Sequence, residues 1–380
     1  MTDVEVKAVA LRRQLHRHPE PAGQEEVTCA AIRRFLAEIP GVRVLPPFLR
    51  TDTVAFLDGN APGRNVTLRA DIDALAVAEE TGCGFASAVP GMMHACGHDV
   101  HTAILCGAAL ELSRRRGEFS GSVRLVFQPG EEIKAMAKDL IAAGALTDPA
   151  PDFVAALHVE PGLPRGVVGV RAGAMAAGCR HFTATFTGQG GHGSTPHTAR
   201  NPIPAAAAAI HELQYVATQQ LDVQNPAVIS ICNIHGGRTD NIIPEECRFS
   251  GTLRALDNTV AGELLPAVRR VCAAIAEAHR VRCRISTGSE YPAVVNSPSG
   301  VKIARAAAEA AGLPVTELSR SAMSSEDFAY FLLNAPDGVF VRLGAGEDQP
   351  PLHSSSFLPP EEIIPAGIRY LTEVALAALR

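Results

Sequence analysis

NVTLRADID at residues 65–73, TAILCGAALELSRRR at 102–116 and SVRLVFQPGEE at 122–132 decide the fold. The first and third are short apolar, β-branched runs that pass into polar residues, which predicts strands. The segment between them spaces its apolar residues near helical periodicity and closes on three arginines, which suit a helix C-terminus. FVAALHVEP at 153–161 repeats the strand pattern. Such alternation predicts an α/β fold, a largely parallel sheet covered by helices on both faces. Ligands bind beyond the carboxyl ends of strands in sheets of this kind, and Asp71, Asp73, Glu131, Glu132 and His158 all fall there.

The order changes downstream. HFTATFTG (181–188) reads as a strand and PIPAAAAAIHELQYVATQQ (202–220) as a helix. AVISICNIHGG (227–237) and ECRFSGTLRA (246–255) read as strands, AGELLPAVRRVCAAIAEAHR (261–280) as a helix and VRCRIST (281–287) as a strand. This β-α-β-β-α-β succession is the split ferredoxin-like unit, an antiparallel sheet with two helices on one face. GVKIARAAAEAAGL (300–313) and GVFVRLG (338–344) then return to a helix and a strand. The expected organisation is one α/β domain, residues 1–179 and 289–380, interrupted by an α+β insert at 180–288.

Composition narrows the function. The 380 residues, 47% hydrophobic and 19% charged, supply material for packed cores. A net charge of −6 offers no field to draw nucleic acid or an anionic membrane, so neither partner is expected. The opening MTDVEVKAVALRRQLHRHPE mixes charge into every turn, unlike a secretory signal or a spanning helix, so a cytoplasmic location is expected. Nine cysteines, an odd number without close pairs, predict reduced thiols.

The densest chemistry is MHACGHDVH, residues 93–101, which sets Cys96 and His98 two apart with His94, Asp99 and His101 alongside. A thiolate and an imidazole in one tight turn can reach one metal site; an isolated Cys-Gly-His is equally well a buried thiol beside a capping imidazole. Glu131 and Glu132 follow a strand broken by Pro129 and Gly130. Adjacent carboxylates point in different directions, so one suits metal binding and the other suits proton transfer with metal-activated water. Alone, such a pair is more often simply solvated. His158 after FVAAL and His353 in PPLHSSSF, each ordinary when taken singly, join Cys96, His98 and Glu132 in a five-ligand set for two divalent ions. Zinc is the first choice, with manganese, cobalt or nickel as alternatives.

In order, LHRHPEP, RADIDAL, MHACGHDVH, FQPGEE, LHVEP, GQGGHGSTPH, NIIPEE, GTLRA, SSEDFAYF and PLHSSSF span nearly the whole chain. With them the sequence resembles the amidohydrolase branch of the aminoacylase and carboxypeptidase family of dinuclear metallopeptidases, the branch of hippurate and auxin-conjugate hydrolases. The resemblance implies a zinc-exopeptidase-like fold and cleavage of N-acyl amino acids. It implies that Cys96 bridges two ions, that His98, Glu132, His158 and His353 complete their shells, and that Glu131 acts as general base and then acid. It further implies a homodimer formed through the insert, with a His of the insert assisting catalysis; a higher oligomer stays open. Three departures, Ala76 for a usual Pro, Gly130 for Ala and Asn201 for Asp, bear on pocket shape and leave every ligand in place.

His192, in GGHGS, is the expected donor to the oxyanion, and Asn241 and Arg254 are the expected holders of the amino-acid carboxylate. An exposed loop His and a surface Arg at a strand end are the plainer readings. Asp71, Asp73 and Asp99 read as carboxylates that orient ligating imidazoles, or equally as caps and turns. His16, His18 and His197 read as structural. Three alternatives remain: a carboxypeptidase or dipeptidase, a metal-retaining binding or sensing protein, and a redox-regulated protein with Cys96 as sensor thiol.

Overall fold

The computed structural model describes residues 1–380. Contacts divide the chain into two units, one of residues 1–175, 295–320 and 327–380, the other of residues 176–294 and 321–326. The first holds an eight-stranded sheet. In chain order its early strands are β1 (Val42–Val44), β2 (Thr53–Asp58), β3 (Asn65–Asp71), β4 (Ser122–Gln128), β5 (Phe153–Pro161) and β6 (Val168–Val170). Spatially the order is β1, β2, β4, β3, β5, then Gly338–Gly346, β6 and Val315–Glu317. The four strands β4, β3, β5 and Gly338–Gly346 run parallel, while β1, β2 and the contact of Gly338–Gly346 with β6 are antiparallel. The sheet is therefore mixed and largely parallel. Strands β3 and β4 are buried along almost their whole length, which explains why they read as continuous apolar runs rather than alternating ones.

Three long helices of this unit begin with α1 (Asp3–Arg17), α2 (Glu26–Ala37) and α3 (His98–Arg114). Helix α1 starts on a capping box, in which Thr2 accepts from the Glu5 N–H and Glu5 accepts from the Thr2 N–H. Helix α3 is buried on all sides from His98 to Ala109, as expected of a helix wedged inside a core rather than lying on a surface. It meets the C-terminal helix Ile363–Ala378 at unusually short range. A Cβ on Gly107 would collide with Ile368, and a Cβ on Gly367 would collide with Ile104. Each glycine is the socket for an isoleucine of the opposite helix. No helix of the chain is long and apolar enough to cross a membrane.

The second unit is a four-stranded antiparallel sheet in the order Ala227–Gly236, Glu246–Ala255, Gly178–Thr187, Arg282–Tyr291. Inward residues alternate along its strands, and Phe182, Phe186 and Phe249 meet with ring centroids 6.0–6.2 Å apart. The helices Pro202–Tyr215 and Asn258–Ala278 complete this core. Ala205, Ala206 and Ala209 are fully buried, so the alanine run lets the first helix sit close to the sheet.

Candidate active site

The carboxyl ends of β3, β4 and β5 lie side by side, and each delivers polar residues. Asp71 ends β3, with Asp73 two residues on. Glu131 and Glu132 open a single helical turn, α4 (Glu131–Lys134), just past β4, and His158 lies within β5. Cys96 and His98 arrive at the N-terminus of α3, separated by Gly97 in the left-handed conformation at φ 84°. A Cβ at Gly97 would stand 2.6 Å from Val159 Cγ2. Glycine alone lets this turn press against β5. Gly97→Ala is expected to cost about 1–2 kcal/mol from the left-handed backbone, plus the displacement of Val159. Thermal denaturation of the metal-loaded variant checks this.

Five side chains converge. Cys96 Sγ lies 3.4 Å from His158 Nε2, and Glu132 Oε1 lies 3.2 Å from His353 Nε2 and 3.8 Å from His98 Nε2. Ligand atoms of Cys96, Glu132 and His353 fall within 4.8 Å of one another, as do those of His98, Glu131 and Glu132. Donors sharing a tetrahedral ion at its usual bond lengths stand about 3.2–3.8 Å apart, so the spacing suits divalent ions. His353 has φ 67°, a conformation uncommon for a side chain with Cβ, and its backbone N–H donates to the Ala95 carbonyl at 2.9 Å. That bond ties its loop to the residue before Cys96.

Hydrogen bonds fix which imidazole nitrogen faces inward. His158 Nδ1 donates to the Val159 carbonyl at 2.7 Å, leaving Nε2 toward Cys96. His98 Nδ1 donates to the Asp73 carbonyl at 2.9 Å and lies 3.1 Å from Asp73 Oδ1, while its buried Nε2 has no hydrogen-bond partner. The other oxygen of Asp73 accepts from the Glu132 N–H at 3.0 Å. Asp73 thus holds both His98 and Glu132 in place. The orphaned Nε2 among carboxylates is the group a divalent cation would satisfy.

Electrostatics agree. Burial pushes the Cys96 thiol well above its ordinary value, and Glu132, Glu131 and Asp71 push it the same way. Burial lowers His98, but Asp71, Asp73 and Glu132 outweigh it and hold the imidazole at about 10. His158, buried beside His101 and Arg342, is held well below its ordinary value and stays neutral. Acidic surroundings that keep protons on Cys96 and His98 are surroundings that attract a divalent cation, and a cation displaces both protons. A buried thiol held in its protonated form is a poor nucleophile, which counts against Cys96 as a redox sensor.

Other residues fall as follows. Asp71 Oδ1 accepts from His101 Nδ1 at 2.6 Å, and His101 Nε2 accepts from the Val159 N–H at 2.9 Å. With both nitrogens engaged, His101 braces the strand that carries His158. The sequence named it only as a neighbour in the motif; its place three residues after His98, on the same helical face, was the available signal. Asp99, expected to orient a ligating imidazole, instead accepts from Arg12 Nε and His16 Nδ1, both at 2.8 Å. One residue after His98 on a helix, its side chain is turned toward Arg12 and His16 of α1. His16 is buried in that pair, whereas His18 and His197 are exposed.

His192, Asn241 and Arg254 belong to the second unit. His192 is exposed, and its Nδ1 accepts from the Ser194 N–H at 3.1 Å, which places the proton on Nε2. Asn241 adjoins it, its carbonyl accepting from the Gly193 N–H at 2.8 Å. Arg254 donates through Nη1 to the Met323 carbonyl at 2.6 Å.

Comparison with known proteins adds to this geometry. Residues 67–377 match the family model described as peptidase family M20/M25/M40. The chain is 35% identical to an N-acetylcysteine deacetylase of Bacillus subtilis, over 98% of this chain and 97% of that one. It is 34% identical to thermostable carboxypeptidase 2 of Saccharolobus solfataricus, over 96% and 93%. A crystal structure of a Bacillus subtilis protein, described as a dinuclear metal-binding peptidase of the M20 family, superposes with a TM-score of 0.87 at 32% identity, covering 100% of this chain and 99% of that one.

Proposed function

The chain belongs to peptidase family M20/M25/M40, and from that premise we propose that it hydrolyses the amide bond of N-acyl amino acids with two divalent ions, zinc first among them. The observation that carries this reading is the convergence of Cys96, His98, Glu132, His158 and His353 beside the second carboxylate, Glu131. Metal retention alone does not require that carboxylate, which argues against a purely binding protein. The five ligands would hold the ions. Bound there, divalent ions polarise an amide carbonyl and bring the pKa of water down to about 7.

The chain's own groups do the rest. Glu131 takes the proton from the attacking water and returns it to the departing nitrogen. His192, with its proton on Nε2, donates to the oxygen that gains charge, and Arg254 and Asn241 hold the carboxylate of the released amino acid. The nine free cysteines, with a thiolate among the ligands, fit a reducing cytoplasm. A hydrolysis panel of N-acetyl, N-benzoyl and longer-chain acyl amino acids tests the reading, with the metal-reconstituted protein expected to release free amino acid. No turnover across the panel rejects it. The carboxypeptidase relative favours a second reading, removal of a C-terminal residue from short peptides, so dipeptides with free amino groups belong in the same panel.

We also propose that the working form is a homodimer in which His192 serves the site of the partner subunit. Mixing the inactive variants His192→Ala and Glu131→Gln under subunit exchange makes half the dimers mixed, each with one complete site of two. About a quarter of full activity should then return. If mixed dimers are demonstrated and no activity returns, His192 serves its own chain.

A further inference from the structure

Asp327 is fully buried, and its carboxylate is gripped from three segments. Arg69 Nη2 donates to Oδ1 at 2.8 Å. Gln128 Nε2 donates to both oxygens, at 3.0 and 2.8 Å, and the Ala137 N–H donates to Oδ2 at 3.0 Å. A side chain held this way fixes the backbone that carries it. That backbone's N–H donates to Glu131 Oε1 at 3.3 Å. Arg69 also donates through Nη1 to Asp71 and through Nε to Gln128 Oε1, both at 2.8 Å. Asp71 in turn accepts from His101. One guanidinium therefore spans the carboxylate that accepts from His101 and the carboxylate that braces the turn facing Glu131.

We infer that Asp327 is a positioning residue for the general base: clamped by Arg69 and Gln128, it aims its own N–H at Glu131 Oε1 and so sets how the carboxylate is presented for proton transfer. The inference rests on the reading of Glu131 as general base. Glu131 opens a helix of one turn, α4, just past β4. A proton acceptor must return the same proton to a different atom later in the reaction, so its orientation carries much of its rate. A displacement of about 1 Å at such a group can cost on the order of 10²-fold. A bond from a rigid backbone donor favours one orientation of the carboxylate.

A buried ion pair that only supports the fold predicts something different, and a double-mutant cycle separates the two. Asp327→Asn and Gln128→Met are each made alone and in the Glu131→Gln background. Metal content is measured directly, and kcat and KM are measured on the best substrate of the acyl amino acid panel. Gln128→Met removes two donations to Asp327 and the acceptor of Arg69 Nε while leaving the Arg69–Asp327 ion pair in place, and it carries the test if Asp327→Asn does not fold. Asp327→Asn is expected to keep its metal and its KM and to lose roughly 10–100-fold in kcat. In the Glu131→Gln background the same change should matter less than about twofold, and Gln128→Met should follow this pattern with a smaller loss. Losses that multiply in both backgrounds, or that trace to metal content or KM, overturn the inference. Undiminished turnover by Glu131→Gln alone overturns instead the general-base reading, and it is seen before any Asp327 variant is assayed.

Discussion

Glu131→Gln is expected to retain both metal ions and to lose hydrolysis by roughly 10²–10⁴-fold, whereas its neighbour, Glu132→Gln, is expected to lose metal. The division follows from what each side chain touches. Glu132 Oε1 lies within 4 Å of nitrogens of both His353 and His98, and its backbone is pinned to Asp73. His353 and His98 hold its carboxyl below the ordinary value against the opposing effect of burial. An amide at that position cannot supply the negative charge that two imidazoles and a cation require. Glu131, in contrast, accepts from a backbone N–H of another segment, a bond that an amide oxygen also accepts. The Glu131→Gln variant therefore keeps the shape and loses the proton acceptor. Metal analysis beside kcat for both variants checks this, and equal metal loss in the two would refute the division.

Exhaustive chelation is expected to abolish hydrolysis, and a divalent ion added back is expected to restore it. The proposed ligands are cysteine, histidine and glutamate side chains, which are not electrophiles themselves, so in this proposal polarisation of the amide carbonyl depends on the ions. Cys96→Ser should behave like the chelated enzyme, because a hydroxyl is a far weaker ligand than a thiolate for zinc. Alkylation offers an independent readout, since a thiol that is both buried and ligated should resist modification in the metal-loaded protein. Full activity with metal content at background, or rapid labelling of Cys96 in the loaded protein, would sink the proposal.

The central sheet was legible because strands buried on both faces, such as β3 and β4, leave long apolar runs in the sequence. The antiparallel unit was legible for the opposite reason, since its strands alternate. Helix α1 escaped notice: its apolar positions are interleaved with arginines, and Arg12 is itself buried, so charge in the sequence did not mean exposure. The grouping of Cys96, His98, Glu132, His158 and His353 as a proposed ligand set was readable because metal binding draws on few residue types. The bracing of that cluster was not. Asp99 could be placed near the ligands by sequence distance, but the rotation of a helix turned it to Arg12 and His16. Arg69 to Asp327 and Gly130 to Glu25 are bonds between residues far apart in the chain, and no local pattern announces a partner at such separation.

The paired sockets between α3 and the helix Ile363–Ala378 carry an evolutionary consequence. His98 rides at the head of α3, so the depth of that helix sets the depth of a proposed metal ligand, and the depth is gauged by Gly107 receiving Ile368 and Gly367 receiving Ile104. A lineage that enlarges residue 107 must shrink residue 368 or else shift the ligand, and the same holds for 367 and 104. Among descendants of this chain, substitutions at these four positions should therefore arrive in compensating pairs, with side-chain volume conserved across the seam.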